Sequence, residues 1–258
     1  FKTNGLDKLK WRTNEWTPDY LKSKAGNQVV NVLSRKSGET FGPENAAYVP
    51  MRFAEFIDQV MVPEDGNDDL YLNLQNLGAG RVIEPPITQL LGDFTLPDIY
   101  RDLQIRSVNL WMGNNRSRTT THLHHDFNDN LYAVVEGCKH FVVFPPEQAA
   151  NLYPRGEVLH VQKNGIIRYK DMHSETMPHF SQLNLNDVDR VKFPGYQEAE
   201  RTRYEFLVEK DEILFLPCGW FHQVSSDGKH IALSFFAEVP STAQMKTLEQ
   251  SLTAVPPQ

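Results

Sequence analysis

Residues 121–146 read THLHHDFNDNLYAVVEGCKHFVVFPP, and the fold of the 258-residue chain turns on how they are read. A polar, histidine-rich stretch leads into NLYAVVEG, a Glu-Gly turn and then KHFVVFPP. Two short runs rich in β-branched and aromatic residues, joined by such a turn, read as paired strands. The same pattern continues outward in both directions. IRSVNLWMG lies upstream, and TRYEFLVEK, DEILFLPCG, FHQVSS and KHIALSFFAEV lie downstream. Turn signals separate these runs at Glu136-Gly137, Pro145-Pro146, Lys210-Asp211, Pro217 to Gly219 and Asp227-Gly228. Many short strands with such punctuation predict a sandwich or barrel rather than a parallel sheet with crossover helices. Residues 147–200 interrupt the strands with polar, proline-containing sequence and read as an insertion, a frequent place for substrate contacts.

The region before residue 105 is mixed. WTPDYLKSKAG carries helix punctuation, with Thr17 as N-cap, Pro18 at the first helical position and Gly26 as stop. NQVVNVLS reads as a strand, and PMRFAEFIDQVM spaces Met51, Phe53, Phe56, Ile57 and Val60 as a helix after Pro50. DDLYLNLQNL alternates, placing Leu70 and Leu72 on one face and Tyr71 and Asn73 on the other. STAQMKTLEQSLTA reads as a last helix capped by Ser241. The sequence shows no internal repeat and no low-complexity segment.

Composition narrows the function classes. Hydrophobic residues make up 40% and charged residues 23%, as in an ordinary globular protein. The formal charge of −7 weighs against a protein held on nucleic acid by bulk electrostatics. No apolar run approaches the roughly 20 residues of a membrane span, so no membrane partner is expected. Two cysteines, Cys138 and Cys218, are too few for a disulfide framework, which predicts a reduced, cytoplasmic or nuclear setting.

The chemistry starts in THLHHD. On a strand, residues i and i+2 share a face, so His124 and Asp126 converge while His125 points away. His222, in LPCGWFHQVSS, is the candidate third member at the start of another strand. Two imidazoles and one carboxylate on one side of a metal leave its other positions open, the arrangement of non-haem Fe(II) oxygenases. His-x-Asp alone recurs by chance. What carries weight is its combination with the Gly-x-Lys turn and a second histidine in a late strand. Lys139 has the parity of Phe141 and Val143, and an inward ammonium is costly unless it meets an anion. It either runs to the rim or grips a carboxylate of a bound co-substrate. The other histidines, His179 among them, give no signal.

Taken together, THLHHDFNDNLYAVVEGCKHFVVFPP and LPCGWFHQVSS resemble the JmjC-type branch of the cupin superfamily. Those proteins are Fe(II)- and 2-oxoglutarate-dependent oxygenases built on a double-stranded β-helix. The similarity spans most of the chain, including the W-x-x-x-Y-L helix region, LYLNLQ and VNLWMG, and is strongest toward the small JmjC lysyl hydroxylases. It implies a mainly β, jelly-roll core over 105–240 with an insertion at about 147–200. A flanking region of helices and strands over 1–104 and a short C-terminal helix or tail over 241–258 complete a single domain of 1–258. By the same resemblance His124, Asp126 and His222 are the iron ligands. Lys139, Thr121 and Tyr71 hold the distal carboxylate of 2-oxoglutarate, and Asn130 lies near metal and co-substrate. Ser234 stands where relatives often carry Asn in an N-F-W element, so its shorter side chain changes the co-substrate's surroundings. The NNRSRTT loop before the metal motif is longer than in the lysyl hydroxylase.

The implied reaction uses O2 and 2-oxoglutarate to hydroxylate a protein or peptide side chain, lysyl as first choice, releasing succinate and CO2. The metal motif does not separate this from N-methyl-lysine demethylation, or from oxidation of a small molecule or tRNA base on the same scaffold. A non-catalytic cupin-like binding module is the reading from another class, and the intact ligand set and lysine weigh against it. A zinc hydrolase would lack a general-base motif such as HExxH. Relatives often pair through C-terminal helices and the tail here is short, so the resemblance favours a homodimer over a monomer only slightly.

Overall fold

The computed structural model describes residues 2–4, 9–35, 47–61, 69–74, 82–95, 104–170 and 177–241. A short strand β1 (Lys2–Asn4) precedes helix α1 (Pro18–Ala25). The antiparallel pair β2 (Val29–Arg35) and β3 (Ala47–Arg52) follows, then helix α2 (Phe53–Met61) and β4 (Asp69–Leu74). After the short helix α3 (Ile87–Leu90) come β5 (Ile105–Thr120), β6 (His124–His125), β7 (Asp129–Glu136) and β8 (Cys138–Phe144). The insertion holds a separate hairpin of β9 (Val158–Val161) and β10 (Ile167–Tyr169), then α4 (Tyr196–Glu200). The strands β11 (Tyr204–Glu209), β12 (Glu212–Leu216) and β13 (Phe221–Ala237) close the fold. The helix expected over the tail lies beyond the described residues.

Eleven strands share one sheet, in the order β1-β12-β7-β13-β5-β4-β2-β3, with β8 joining β13 to β11 and β6 lying on β13. The strand β13 changes partners partway along. Phe221 to Ser225 pair with β8, and Ile231 to Ala237 pair with β7, while β5 runs against it from Ser225 to Ala237. A strand that switches neighbours bends the sheet over itself, which produces the two facing walls of a double-stranded β-helix.

Two sequence expectations change at this bend. Asp227-Gly228 is not a hairpin turn but a bulge inside continuous β13, with Gly228 at φ 59° and a register shift after Ser226. NNRSRTT is not a loop but the second half of β5. The cause is mutual: Asn114 pairs with Lys229 and Thr119 with Ser226, so each stretch supplies the other's ladder. A third change is in the flanking region. Pro50 and Met51 belong to β3, and the helix starts only at Phe53. Proline is tolerated there because β3 is the last strand of the sheet among the described residues. The helix α1 forms as read, with the Thr17 hydroxyl accepting the Tyr20 N–H at 3.3 Å.

Alternation along the strands sorts side chains into layers. Val108, Leu110 and Met112 of β5 and Leu233 and Phe235 of β13 face outward, against Trp16, Leu21, Phe53, Phe56 and Ile57 of the flanking region. Their neighbours in sequence face the interior, where Tyr132, Val134, Phe141, Val143, Leu214 and Ala232 pack. A third cluster seats the insertion on the outer side of β8, through Val142, Phe144, Ala149, Leu152, Tyr169 and Tyr196.

The insertion also meets the turn that carries His222. Gly219, at φ 77°, lies so close to Gly165 that a Cβ on it would run into the Gly165 carbonyl oxygen. Gly165, in the β9–β10 turn at φ 85°, faces the Cys218 carbonyl in the same way. Gly219→Ala must therefore either strain a left-handed backbone or push the insertion off the turn. It is expected to lower stability by about 3 kcal/mol, read from the urea midpoint; an unchanged midpoint would refute this packing.

Candidate metal centre

The strand β6 lies antiparallel on the start of β13, with His124 opposite His222 and His125 opposite Phe221. That register brings the two imidazoles together, with ring centroids 4.3 Å apart and planes tilted by 53°. Asp126 follows at the end of β6, and its Oδ2 lies 3.5 Å from His222 Nε2. One donor atom from each of His124, Asp126 and His222 falls within 4.8 Å of the others. His222 is buried, while His124 and Asp126 keep a partly exposed side.

Backbone carbonyls set the tautomers. His124 Nδ1–H donates to the His122 carbonyl at 2.8 Å, and His222 Nδ1–H to the Trp220 carbonyl at 3.0 Å. A carbonyl can only accept, so each ring in its neutral form presents its Nε2 lone pair to the shared space. Removal from water, and next the neighbouring His222, hold His124 well below the ordinary histidine range. Burial raises the Asp126 carboxyl. Lone pairs of this kind repel one another unless a cation lies between them. Two imidazole nitrogens and one carboxylate oxygen suit a divalent first-row metal and leave its remaining positions open.

The two ligand-bearing segments are tied to each other by more than pairing. Gly219 N–H donates to the Asp126 carbonyl at 3.0 Å, and Cys218 N–H donates to Asp129 Oδ1 at 2.9 Å. Sequence reading missed Asp129, although an acidic residue after a polar turn is a signal for such a clamp. It also missed what surrounds His125, which points away from the donors as its parity requires. His125 Nδ1–H donates to the Asp126 carbonyl at 3.0 Å, and its Nε2 accepts the Tyr169 hydroxyl at 2.7 Å. Phe180, from the insertion, forms an isolated bridge with His124 and stacks on its ring at 5.0 Å. His179 beside it packs on Phe127 and offers its carbonyl to the His125 N–H.

The interior wall places the other candidates. Lys139 is 2% exposed and inward, with Phe141 and Val143 on its face. Its Nζ donates to Ser226 Oγ at 3.2 Å and lies 5.4 Å from the centre of the Tyr71 ring. Tyr71 is buried between Trp111 and His230, with ring centroids 6.3 and 5.7 Å away. The Thr121 hydroxyl oxygen accepts the Val224 N–H at 2.9 Å, which leaves its hydrogen to donate elsewhere. Asn130 is buried, and among the described residues its Oδ1 has no hydrogen-bond partner. Ser234 is fully buried, and its oxygen accepts the Trp111 indole N–H at 2.6 Å. Trp111 and Tyr132, to which sequence reading gave no role, join this wall; burial raises the Tyr132 phenol far above its usual range, with Tyr71 adding to the effect.

The profile of the family described as "Cupin-like domain" matches residues 4–242. A Schizosaccharomyces pombe protein named JmjC domain-containing protein 4 is 32% identical over 186 residues, covering 65% of this chain and 38% of that protein. The human tRNA wybutosine-synthesizing protein 5 is 25% identical over 91% of this chain and 70% of its own length. The human bifunctional peptidase and (3S)-lysyl hydroxylase JMJD7 is 26% identical over 87% of this chain and 72% of its own length. The chain spans well under half of the fission-yeast relative and about seven tenths of the two human ones.

The buried histidines have a consequence for stability. Burial pushes His125 down to about 3 and His179 to about 4. An unfolded chain takes up protons at these residues near pH 6.5, so their contribution is fully present above that pH and is lost as pH falls toward the folded values. Asp126, with its raised carboxyl, acts in the opposite sense. In urea titrations of the metal-free protein between pH 7 and 4, the slope of stability against pH is expected to be shallower in His125→Phe than in wild type. Equal slopes would show that His125 is not held neutral.

Proposed function

The chain belongs to the cupin-like domain family, in its JmjC branch, and from that membership and the three converging donors we propose that it is an Fe(II)- and 2-oxoglutarate-dependent hydroxylase of a protein or peptide side chain. JmjC cupins are typically 2-oxoglutarate oxygenases. The observation that carries the reading is the pairing of a lone-pair cluster within 4.8 Å with a buried, inward ammonium at Lys139. One feature calls for a cation and the other for an anion. A keto diacid chelating a ferrous ion through one end and presenting a carboxylate at the other answers both.

In this reading His124 and His222 through Nε2, and Asp126 through a carboxylate oxygen, hold Fe(II). The bound metal supplies O2 activation coupled to oxidative decarboxylation of 2-oxoglutarate to succinate and CO2. The chain's own residues orient the reactants. The Lys139 ammonium binds the distal carboxylate by a charge-assisted bond in a dry chamber, and the hydroxyl hydrogens of Thr121 and Tyr71 are assigned to the same group. Asn130 Oδ1, a buried acceptor without a partner among the described residues, is assigned to the surroundings of the metal and co-substrate. Ser234 contributes by fixing Trp111, whose indole N–H it accepts. The walls of Phe141, Val143 and Trp111 exclude water and hold the reacting groups in place.

Lysyl hydroxylation is the preferred reaction, supported by the relative whose name carries that activity over 87% of this chain. The tRNA-modifying relative, matching 91% of the chain, supports a second reading as an oxygenase of a tRNA base; the net charge of −7 favours the first. A homodimer and a cytoplasmic or nuclear setting belong to the same proposal. Among the described residues no helix is long and apolar enough to cross a membrane.

His124→Ala and Asp126→Ala are expected to lower succinate formation at least a hundredfold while circular dichroism stays native; turnover in either would remove these residues from the ligand set. Lys139→Ala is expected to raise the 2-oxoglutarate KM about tenfold or more, the loss of one charge-assisted bond; an unchanged KM would place the ammonium elsewhere in function. Incubation with lysine-containing peptides and with tRNA, read by a mass gain of one oxygen, decides between the two substrate readings. The mark is expected on peptide lysine, and a mark confined to tRNA would overturn the preferred one.

A further inference from the structure

We infer that Tyr169 and His125 form a positioning pair through which the insertion fixes the metal-binding turn. A hydroxyl that touches no ligand atom then helps to set metal affinity. The inference rests on reading His124, Asp126 and His222 as metal ligands.

His125 sits between two of those residues in sequence, is fully buried, and faces away from them into the insertion. Its Nδ1 meets the Asp126 carbonyl at 3.0 Å, and a carbonyl can only accept, so Nδ1 carries the proton. The neutral ring then has a bare Nε2, and the Tyr169 hydroxyl 2.7 Å away is the donor to it. That donation locks one tautomer and one ring orientation, as second-row hydrogen bonds do for metal-binding histidines. The two rings lie nearly parallel, with centroids 5.9 Å apart and planes at 10°. Because the Asp126 carbonyl is held from both sides, by His125 and by Gly219 N–H, its carboxylate has a defined direction.

The same pair reaches the other two ligand positions. The His125 ring packs edge-on against Phe221, the residue before His222, at 4.9 Å. The His125 backbone N–H donates to the His179 carbonyl at 3.3 Å, next to Phe180, which stacks on His124. Tyr169 lies on the buried face of β10, so the hairpin delivers its hydroxyl from outside the β-helix. With phenylalanine in its place, the imidazole can exchange tautomers or rotate, and the Asp126 turn loses one of its two restraints.

The test uses Co(II) as a probe on the whole chain, with affinity and visible absorption as readouts and no turnover needed. Tyr169→Phe is expected to raise the Co(II) Kd about tenfold and to change the d–d spectrum, while the metal-free protein remains folded. Lys170→Ala, which removes an exposed ion pair with Glu157 one residue along the same hairpin, is expected to leave both unchanged. A wild-type Kd and spectrum in Tyr169→Phe overturns the inference and leaves the metal reading standing; a wild-type protein that binds no Co(II) overturns both. Should Tyr169→Phe not fold, the paired variant His125→Phe/Tyr169→Phe replaces both polar groups at once. The same rise in Kd is expected of it, and a wild-type Kd again overturns the inference.

Discussion

Acceptor lone pairs from two imidazoles and a carboxylate, crowded within 4.8 Å, repel each other, and the rest of the structure is arranged to hold them there. The register of β6 on β13 sets His124 against His222. Backbone carbonyls take the Nδ1 protons and leave the Nε2 lone pairs inward. The Asp126 carbonyl is tied to Gly219, and Asp129 is tied to Cys218, so two further bonds join the segments. In the proposed reading these restraints preorganise the cluster for a cation, because they are in place before the ion arrives.

The bend in β13 links that site to the chamber behind it. Its first stretch, Phe221 to Ser225, pairs with β8 and carries His222, and its later stretch pairs with β7. Lys139, at the start of β8, reaches Ser226 across this bend. His124 on β6, His222 on β13 and Lys139 on β8 are therefore joined through β13, which pairs with both β6 and β8. The outer face of β13 packs against the flanking region through Leu233 and Phe235, and the outer face of β8 packs on the insertion through Val142 and Phe144, so the interior is supported by ordinary packing on its far side.

Sequence alone was most informative where the relevant geometry is local. The i, i+2 parity in THLHHD put His124 and Asp126 together and turned His125 away. Parity in GCKHFVVF put Lys139 inside with Phe141 and Val143. Thr17-Pro18 marked a helix start that the structure has. The misreadings are non-local. NNRSRTT and Asp227-Gly228 both look like turns, and become strand and bulge because each finds its ladder partner more than a hundred residues away. Pro50 looks like a helix opener, and becomes an edge-strand residue because β2 lies beside it. Tyr169, Phe180 and His179 carry no motif, and only the docking of the insertion brings them to the metal strand.

The central claim is that one ferrous ion is held by His124, Asp126 and His222 together. X-ray absorption on the anaerobic, Fe(II)-loaded protein tests it most directly. The account requires one iron per chain, with outer-shell scattering from two imidazoles that drops to one in His222→Ala. A spectrum of oxygen ligands alone, unchanged by that substitution, would contradict it.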